Sequence, residues 1–527
     1  MSEAIISPGV YSRENDLSFI QPLAREAGAA IIGPTVLGPV MTPTVVTSYN
    51  QYVRTFGDTF ASSSQTYEFL TSATVRNYFQ NGGTSMLVTR VVDSNQTFTP
   101  AESSAILNSR GFESFELQTL SKGAILNSIS GSSQALEDGV IAGGDYLDNA
   151  QEILVSGSVY NLKWEITNVN KTKGTFTLLI RRGDDSNNSK VILETYTGVS
   201  LDPTNERFIS KVIGDQESYY NATDNNIQVL GEYPNKSRYV RVSTVDYPTL
   251  NYFKGDGITI NTGSFGPTNI SIPYDELLPI SARGGFGGGQ GSITSGYLTP
   301  VNISANNIQG LSTGSFDDAL ALLENTDEYL FNTLVIPGVN AEQHTGLVSK
   351  MISLAETRGD CIAIIDPTSY NGSAQDAITA ADSLNSSYAA SYFPWVQVRS
   401  TTTKDIWVPP SVVIPGVYAF TDASSAPWFA PAGLVRGGIP GVLQAKLKLS
   451  KTVRDTLYEG KVNPIATFPG TGIAVFGQKT LQTQSSALDR VNVRRLLIQL
   501  KDFIGKQAQN LVFEQNTRKT RNTFLAR

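Results

Sequence analysis

Two separate segments of this chain carry the same strand–helix–strand rhythm, and the residues between them do not. The first runs from about Ala27 to Val92. There AAIIG and TPTVVTS read as strands, and QTYEFLTSATVRNYFQ places Phe69, Leu70 and Ala73 on one helical face. NGG then stops the helix with a left-handed cap, ahead of the buried strand SMLVTRVV. The second segment begins after Gly310. Its first helix, SFDDALALLEN, opens on Ser315 with Asp318 three residues on, the spacing of a capping box. The strand LFNTLVIPG, a helix around EQHTGLVSKMISLAETRG and the strand CIAIIDP follow. Strands joined through a helix at this spacing pair in parallel, and a parallel sheet needs helices on both faces. The expected fold class is therefore α+β and α/β multidomain, with an α/β core built from N- and C-terminal parts of the chain.

Residues 96–310 have another texture, rich in serine, asparagine, threonine and glycine. NLKWEIT alternates, with Leu162, Trp164 and Ile166 on one face and Lys163, Glu165 and Thr167 on the other. TFTLLIR repeats the pattern with Phe176, Leu178 and Ile180 after the turn NKTKG. This reads as a largely β insertion, surface-exposed, ending in a linker at RGGFGGGQGS. The expected division is an N-terminal arm over 1–25, a first part of the core over 26–95 and the β-rich insertion over 96–310. An α/β core over 311–440, a C-terminal core part over 441–510 and a C-terminal arm over 511–527 complete it.

Composition removes several function classes. With 40% hydrophobic and 17% charged residues among 527, the chain can bury large cores. A formal charge of -7 excludes a generally basic nucleic-acid binder. Cys361 is the only cysteine and His344 the only histidine, so neither a disulfide framework nor a thiolate metal cluster can be assembled. His344 reads as the solvated start of a helix, and Cys361 as a small hydrophobe in a buried strand. Asp366 ends that strand, where catalytic carboxylates often stand, but no convergent partner can be named for it. The start MSEAIISPGV lacks signal-peptide character. The uncharged run 27–53 is interrupted by Pro34, Pro39 and Pro43, which suits strands and turns better than a membrane helix. No catalytic, cofactor-binding or metal-ligating residue is expected, and no enzyme.

One stretch tests that expectation. In NPIATFPGTGIAVFGQKT, Gly472 and Gly477 stand five apart and precede Gln478, Lys479 and Thr480, one residue away from the phosphate-cradling pattern G-x-x-x-x-G-K-[ST]. A nucleotide-binding enzyme is thus a weaker alternative. The intervening Gln478 and the strand-like IAVFG speak against it.

Residues 389–438 resemble the contractile tail sheath family of bacteriophages and related injection machines. The matching pieces are Tyr392 with Pro394 and Trp395, Pro409-Pro410-Ser411, Tyr418 with Thr421-Asp422, and Ala430-Pro431-Ala432-Gly433. The likeness continues through Asn463-Pro464-Ile465, Pro469-Gly470, Gly472-Ile473 and Gly477-Gln478-Lys479-Thr480. Asn492 to Leu496, Phe513-Glu514 with Asn516, and the early Ser7-Pro8-Gly9-Val10-Tyr11 also match. The insertion carries none of this pattern.

The resemblance implies a structural subunit that polymerises with itself as six-fold helical discs around an inner tail tube protein and contracts to drive the tube through a host envelope. It implies baseplate and tail terminator proteins as further partners, with no direct nucleic acid contact and no membrane insertion. The implied location is the virion tail, assembled in the host bacterial cytoplasm. A phage-derived or type VI-like injection system is the alternative owner.

Both ends of the chain read as arms that link neighbours, through Ser7 to Tyr11 and through the strand-forming Leu511, Val512 and Phe513 with Glu514 and Asn516. Between Gly441 and Arg527 fifteen Lys/Arg face five Asp/Glu, a balance of +10 that leaves -17 for the rest. The helix SALDRVNVRRLLIQLKDFI opens with Ser486 and Asp489 as a capping box, and Leu488, Val491, Leu496, Leu500 and Phe503 favour a buried side. Arg490, Arg494 and Lys501 form a basic stripe, the expected contact with an acidic inner tube.

Overall fold

The computed structural model describes residues 27–62, 65–127, 159–265, 270–470, 472–509 and 511–526, with short strands at 136–137, 140–141, 147–148 and 153–154. The expected N-terminal arm, with Ser7, Pro8, Gly9, Val10 and Tyr11, lies outside the described residues.

Eight strands form the central sheet: β1 Ala29–Gly33, β2 Thr44–Val46, β3 Met86–Arg90, β4 Thr333–Asn340, β5 Ile362–Asp366, β6 Ala389–Phe393, β7 Val462–Phe468 and β8 Gly472–Val475. Their order is β2-β3-β1-β4-β5-β6-β7-β8. The six inner strands are parallel, and β2 and β8 close the edges antiparallel. Because β1 pairs with β4 (Ala30 with Leu334, Ile31 with Val335), the two ends of the chain build one sheet.

The strands β1, β3, β4, β5 and β6 are buried at every residue, as expected for apolar runs covered on both faces. Successive residues of β1 serve the two faces. Ala29 and Ile31 pack with Val75 and Tyr78 of a helix at Leu70–Gln80, while Ala30 and Ile32 join a larger cluster. That cluster includes Leu347, Val348 and Met351 of the helix Thr345–Arg358. Truncating such a side chain, as in Ile31→Ala, costs about 2–5 kcal/mol. We label the helices used below α1 (Tyr49–Phe56), α2 (Leu70–Gln80), α3 (Thr345–Arg358), α4 (Ile414–Ser424), α5 (Lys451–Glu459), α6 (Val491–Gln509) and α7 (Arg518–Ala526).

Between β3 and β4 the chain forms a second, antiparallel sheet. Its main path runs Ile192–Ser200, Thr175–Arg182, Leu162–Asn170, Ala282–Gly287, Pro100–Ser103, Glu113–Lys122, Val240–Val245. The alternation expected at Leu162, Trp164 and Ile166 is present, all three being buried. Lys163 and Glu165 on the opposite face are buried too. Lys163 donates to Asp185 Oδ1 at 2.9 Å, and Arg181 bridges Glu165 (2.7 Å) and Asp185 (2.8 Å). Each buried charge thus has an opposite partner, without which its desolvation would be prohibitive.

The first half of the glycine-rich run expected as a linker is instead a strand in the middle of this sheet, and residues 288–292 follow it as a loop. Ala282–Gly287 pairs with Leu162–Asn170 and Pro100–Ser103. A Cβ on Gly284 would lie 2.8 Å from the Trp164 ring and 2.0 Å from Ser104 Oγ, so glycine is what lets the indole lie flat on the strand. The sheet is joined to the core through Arg90, fully buried, whose Nη1 donates to Gly38 O (2.6 Å) and Lys122 O (2.9 Å).

Three local expectations differ from the structure. Ser315 lies inside a 3-10 turn (Thr313–Phe316) ahead of a short helix at Asp317–Leu322, and its hydroxyl is engaged with Ser312 instead of capping. His344 stands at the N-cap of α3, yet its ring is buried. Nδ1 accepts from Asn340 N (3.1 Å) and Nε2 faces Ser304 O (3.0 Å), which fixes a neutral imidazole and ties α3 to the segment before it. The C-terminal arm is a turn at 511–513 followed by α7, not a strand.

Candidate assembly surface

The stretch with the near-miss phosphate pattern forms the β7–β8 hairpin, paired antiparallel with Ile465 opposite Val475 and Phe468 opposite Gly472. A phosphate loop needs a helix directly after its second glycine. Here Gly477 leads into an irregular segment, and the next turn of helix begins at Ala487. The glycines serve other ends. Gly470 (φ 78°) and Gly472 (φ 90°) have open surroundings and a left-handed backbone at the hairpin turn. A Cβ on Gly477 would lie 2.9 Å from both Asn463 Oδ1 and Pro464 Cδ.

Asn463 explains that crowding. It is fully buried; its Nδ2 donates to Ser391 O (3.0 Å) and Lys479 O (2.8 Å), and its Oδ1 accepts from Lys479 N (2.6 Å). One side chain thus pins the Gln478–Thr480 segment to β6. Beside it Pro464, on β7, pairs with Phe393. Pro394 follows β6, and Trp395 is buried with its indole donating to Thr368 O (3.2 Å). Pro431 is buried, and Gly433 (φ 87°) opens a single helical turn, Gly433–Arg436. These residues organise backbone.

Asp366 is fully buried at the end of β5 and accepts from Ser411 N (2.9 Å) and Ser411 Oγ (2.5 Å). Burial raises its pKa to about 7 against the opposing pull of Ser411. Both oxygens are engaged by one serine, which makes it a structural acceptor for the turn leading into α4. Cys361 is buried in the core, and burial pushes its thiol well up. Among the described residues no group of His, Cys, Asp and Glu could hold a metal ion, and no helix is long and apolar enough to cross a membrane.

The basic stripe comes together, but it faces its own chain. Arg494 is buried, lies over the Tyr388 ring (4.0 Å) and donates to Ser387 Oγ. Lys501 donates to Tyr388 Oη (3.0 Å). Arg490 precedes α6, donates to Tyr458 Oη and pairs with Asp489 (3.1 Å). The aromatic rings that hold these cations could not be read from helical spacing. Ser486 caps a 3-10 turn, Ala487–Asp489, and α6 itself starts later, at Val491.

The sequence reading gave no role of its own to Arg495. Its guanidinium is buried, donates to both oxygens of Asp422 (2.8 and 2.6 Å) and lies 4.6 Å from the Tyr418 ring. Tyr418 in turn bonds Tyr392 of β6 at 2.7 Å. This chain of contacts fixes α6 against α4 and the sheet. The available signal was that Asp422, Tyr418 and Arg495 all sit in the motif pieces, though 73 residues separate the pair.

The buried side expected for α6 is only half covered. Val491 is buried and Leu488 and Leu496 are half-buried, but Phe503 is 54% exposed, and Leu500 and Ile504 are exposed as well. The neighbouring segment adds Trp428, Phe429, Leu434 and Val435, all exposed. Asn492 reaches Trp428 O (3.5 Å), and Pro427 shares a cleft of 130 Å³ with Ile498 and Asp502 of α6. Monomeric surfaces rarely leave so many large apolar groups in one region.

Side chains spent on pinning backbone, and apolar groups left open beside them, define a structural assembly subunit built on a parallel α/β sheet. Comparison with known proteins agrees. The model of the phage tail sheath protein central domain matches residues 315–481, from the short helix before β4 to the segment pinned by Asn463. The tail sheath protein of Vibrio phage KVP40 is 26% identical over 619 aligned positions, covering 99% of this chain and 89% of that one. The tail sheath protein of Enterobacteria phage T4 is 30% identical over 229 positions, 39% of this chain and 34% of that protein. The crystal structure of the sheath tail protein Lin1278 from Listeria innocua shares the fold, with a TM-score of 0.52 at 10% identity over 95% of this chain and 83% of that one. Residues 315–481 thus match the tail sheath central domain, and the chain along its length is similar to tail sheath proteins.

Proposed function

We propose that this chain is the repeating subunit of a contractile tail sheath, polymerising as six-fold discs around an inner tube and shortening to drive the tube through an envelope. The observation that carries the reading is the α6 region. Its motif residues are locked internally by Asn463 and by Arg495–Asp422, while its large apolar groups stay open to a neighbour. Such a surface suits association driven by apolar burial. Residues 511–516 support a linking role for the C-terminal arm, because Val512 and Phe513 are exposed and Phe513 holds a φ of 71°. A bulky residue at positive φ without packing is poised to change conformation on meeting a partner. The N-terminal arm, Ser7 to Tyr11, is proposed to link neighbours in the same way.

The proposed tube contact falls to Arg490 and Lys501, whose side chains keep solvent access, with Arg494 acting as the buried support beneath them. Baseplate and terminator proteins are the proposed partners at the two ends of the polymer, and the virion tail assembled in the host cytoplasm is the proposed location. Electron microscopy of the purified protein, with and without tube protein, tests the reading. Striated six-fold tubes are the expected result, and dispersed monomers under every salt condition would overturn it. The owner, phage or injection system, follows from whether capsid genes lie beside this one.

A further inference from the structure

Where α1 approaches the inserted sheet, the surface folds into a cleft of 530 Å³ that the assembly reading does not use. From α1 come Asn50, Gln51, Arg54 and Thr55, and from the insertion Arg238 and Tyr239. A second cavity of 310 Å³ shares Thr55 and Arg238 and extends the cleft toward Ser121 and Lys122. The walls are held independently. Ser48 caps α1 by accepting from Gln51 N (3.2 Å), and Tyr239 O accepts from Leu120 N (2.8 Å) in the insertion.

The lining of the 530 Å³ cleft is hydroxyl, amide and guanidinium with one aromatic ring. Arg54 and Arg238 are exposed, and neither guanidinium has an ion-pair partner among the described residues. The other cations of the extended cleft differ: Arg241 pairs with Glu217 at 2.6 Å, and Lys122 lies 4.0 Å from the same carboxylate. The first turn of α1 holds no acidic residue, so its N-terminal end adds positive potential. The Gln51 carbonyl oxygen is taken by Thr47 N and Oγ1 (both 2.9 Å), which turns the amide NH₂ outward as a donor. Burial and the Glu194 carboxylate raise the Tyr239 hydroxyl above its ordinary value, while Arg238 and Arg54 are both near enough to pull it back.

Concave sites between domains are where small molecules bind, and the lining dictates their polarity. Between α1 and the Arg238–Tyr239 wall, an apolar ligand would find only the Tyr239 ring to bury against; the apolar side chains Val40 and Leu120 lie in the second cavity. A bare anion would use the two arginines and leave the amides, the threonine and the ring idle. We infer that this cleft binds an acidic saccharide: a sugar carboxylate between Arg54 and Arg238, ring hydroxyls on Asn50, Gln51 and Thr55, and a sugar face against Tyr239. Guanidinium forks match carboxylates bidentately, which fixes the orientation of the sugar.

The test is calorimetric titration of the full-length chain with a galacturonic acid oligomer, its neutral methyl ester and inorganic phosphate. The acidic oligomer is expected to bind more tightly than the ester or phosphate. R54A and R238A should each weaken it about tenfold, the loss of one charge-assisted hydrogen bond. Arg54→Lys should retain part of the affinity, and thermal unfolding of all three variants should match the parent. Equal affinity for phosphate, or unchanged binding in the R54A/R238A variant, overturns the inference. So does a loss of self-association in that variant with no saccharide bound, which would make the cleft a contact between copies. The inference is independent of the sheath reading, since polymers formed by R54A/R238A leave that reading intact.

Discussion

At the scale of single residues, three buried polar groups set measurable quantities. Asn463 satisfies three backbone groups, so Asn463→Ala leaves the buried Ser391 O and the half-buried Lys479 O and Lys479 N without this partner. The expected loss is about 2–4 kcal/mol, read from urea unfolding. Asp366 titrates near 7 in the folded chain, above the ordinary carboxylate value. The folded state therefore holds a proton that the unfolded state has released. Its contribution is complete below the unfolded pKa and is lost as pH rises toward 7. Asp366→Asn should flatten that part of the stability–pH curve, measured as the difference between the two proteins. His344 acts in the opposite sense. Burial lowers its pKa against the opposing effect of its hydrogen bonds with Ser304 O and Asn340 N, so its contribution is present above the unfolded value and falls away as the medium is acidified below it. His344→Gln should reduce this acid sensitivity.

At the scale of elements, legibility in the sequence follows how local the governing forces are. The core strands were readable because apolar runs buried on both faces leave a composition signal, and the helix at Thr345–Arg358 because Gly359 (φ 69°) closes it. The strand Ala282–Gly287 was not, because its glycines are selected by Trp164, far away in sequence. The stripe of Arg490, Arg494 and Lys501 was found as a geometric row. Its direction was missed, since Tyr388 and Tyr458 lie on other elements. For α6 the decisive contact is Arg495–Asp422. A double-mutant cycle with Arg495→Ala and Asp422→Ala is expected to show a coupling of about 1–3 kcal/mol. By contrast, replacing Leu500, Phe503 and Ile504 with serine should move stability by no more than about 0.5 kcal/mol per site. The same variant should fail to form tubes under the microscope, because these groups are open in the single chain.

For the whole molecule, the two sheets carry different duties. The central sheet, α4, α6 and the segments between them hold the motif pieces from Tyr392 to Leu496, whereas the inserted sheet has its own apolar core around Trp164, Phe176 and Phe286. Removing residues 511–527 should leave the thermal unfolding of the body unchanged, since Val512 and Phe513 are exposed there, and should abolish polymer growth. Scanning calorimetry and microscopy on one preparation check both halves of that expectation.

The pairing of β1 with β4 has a consequence during synthesis. Residues Ala30 and Ile31 leave the ribosome long before Leu334 and Val335, their partners in the sheet, have been translated. Until then β1 and β3 form an incomplete parallel ribbon with an open edge, a state prone to aggregation and slow to resolve. The inserted sheet is antiparallel along its whole main path and fully synthesised by Gly287, so it can close on its own in the interval. The insertion thus arrives as a finished clamp that, through Arg90, holds the early strands in place for the late ones.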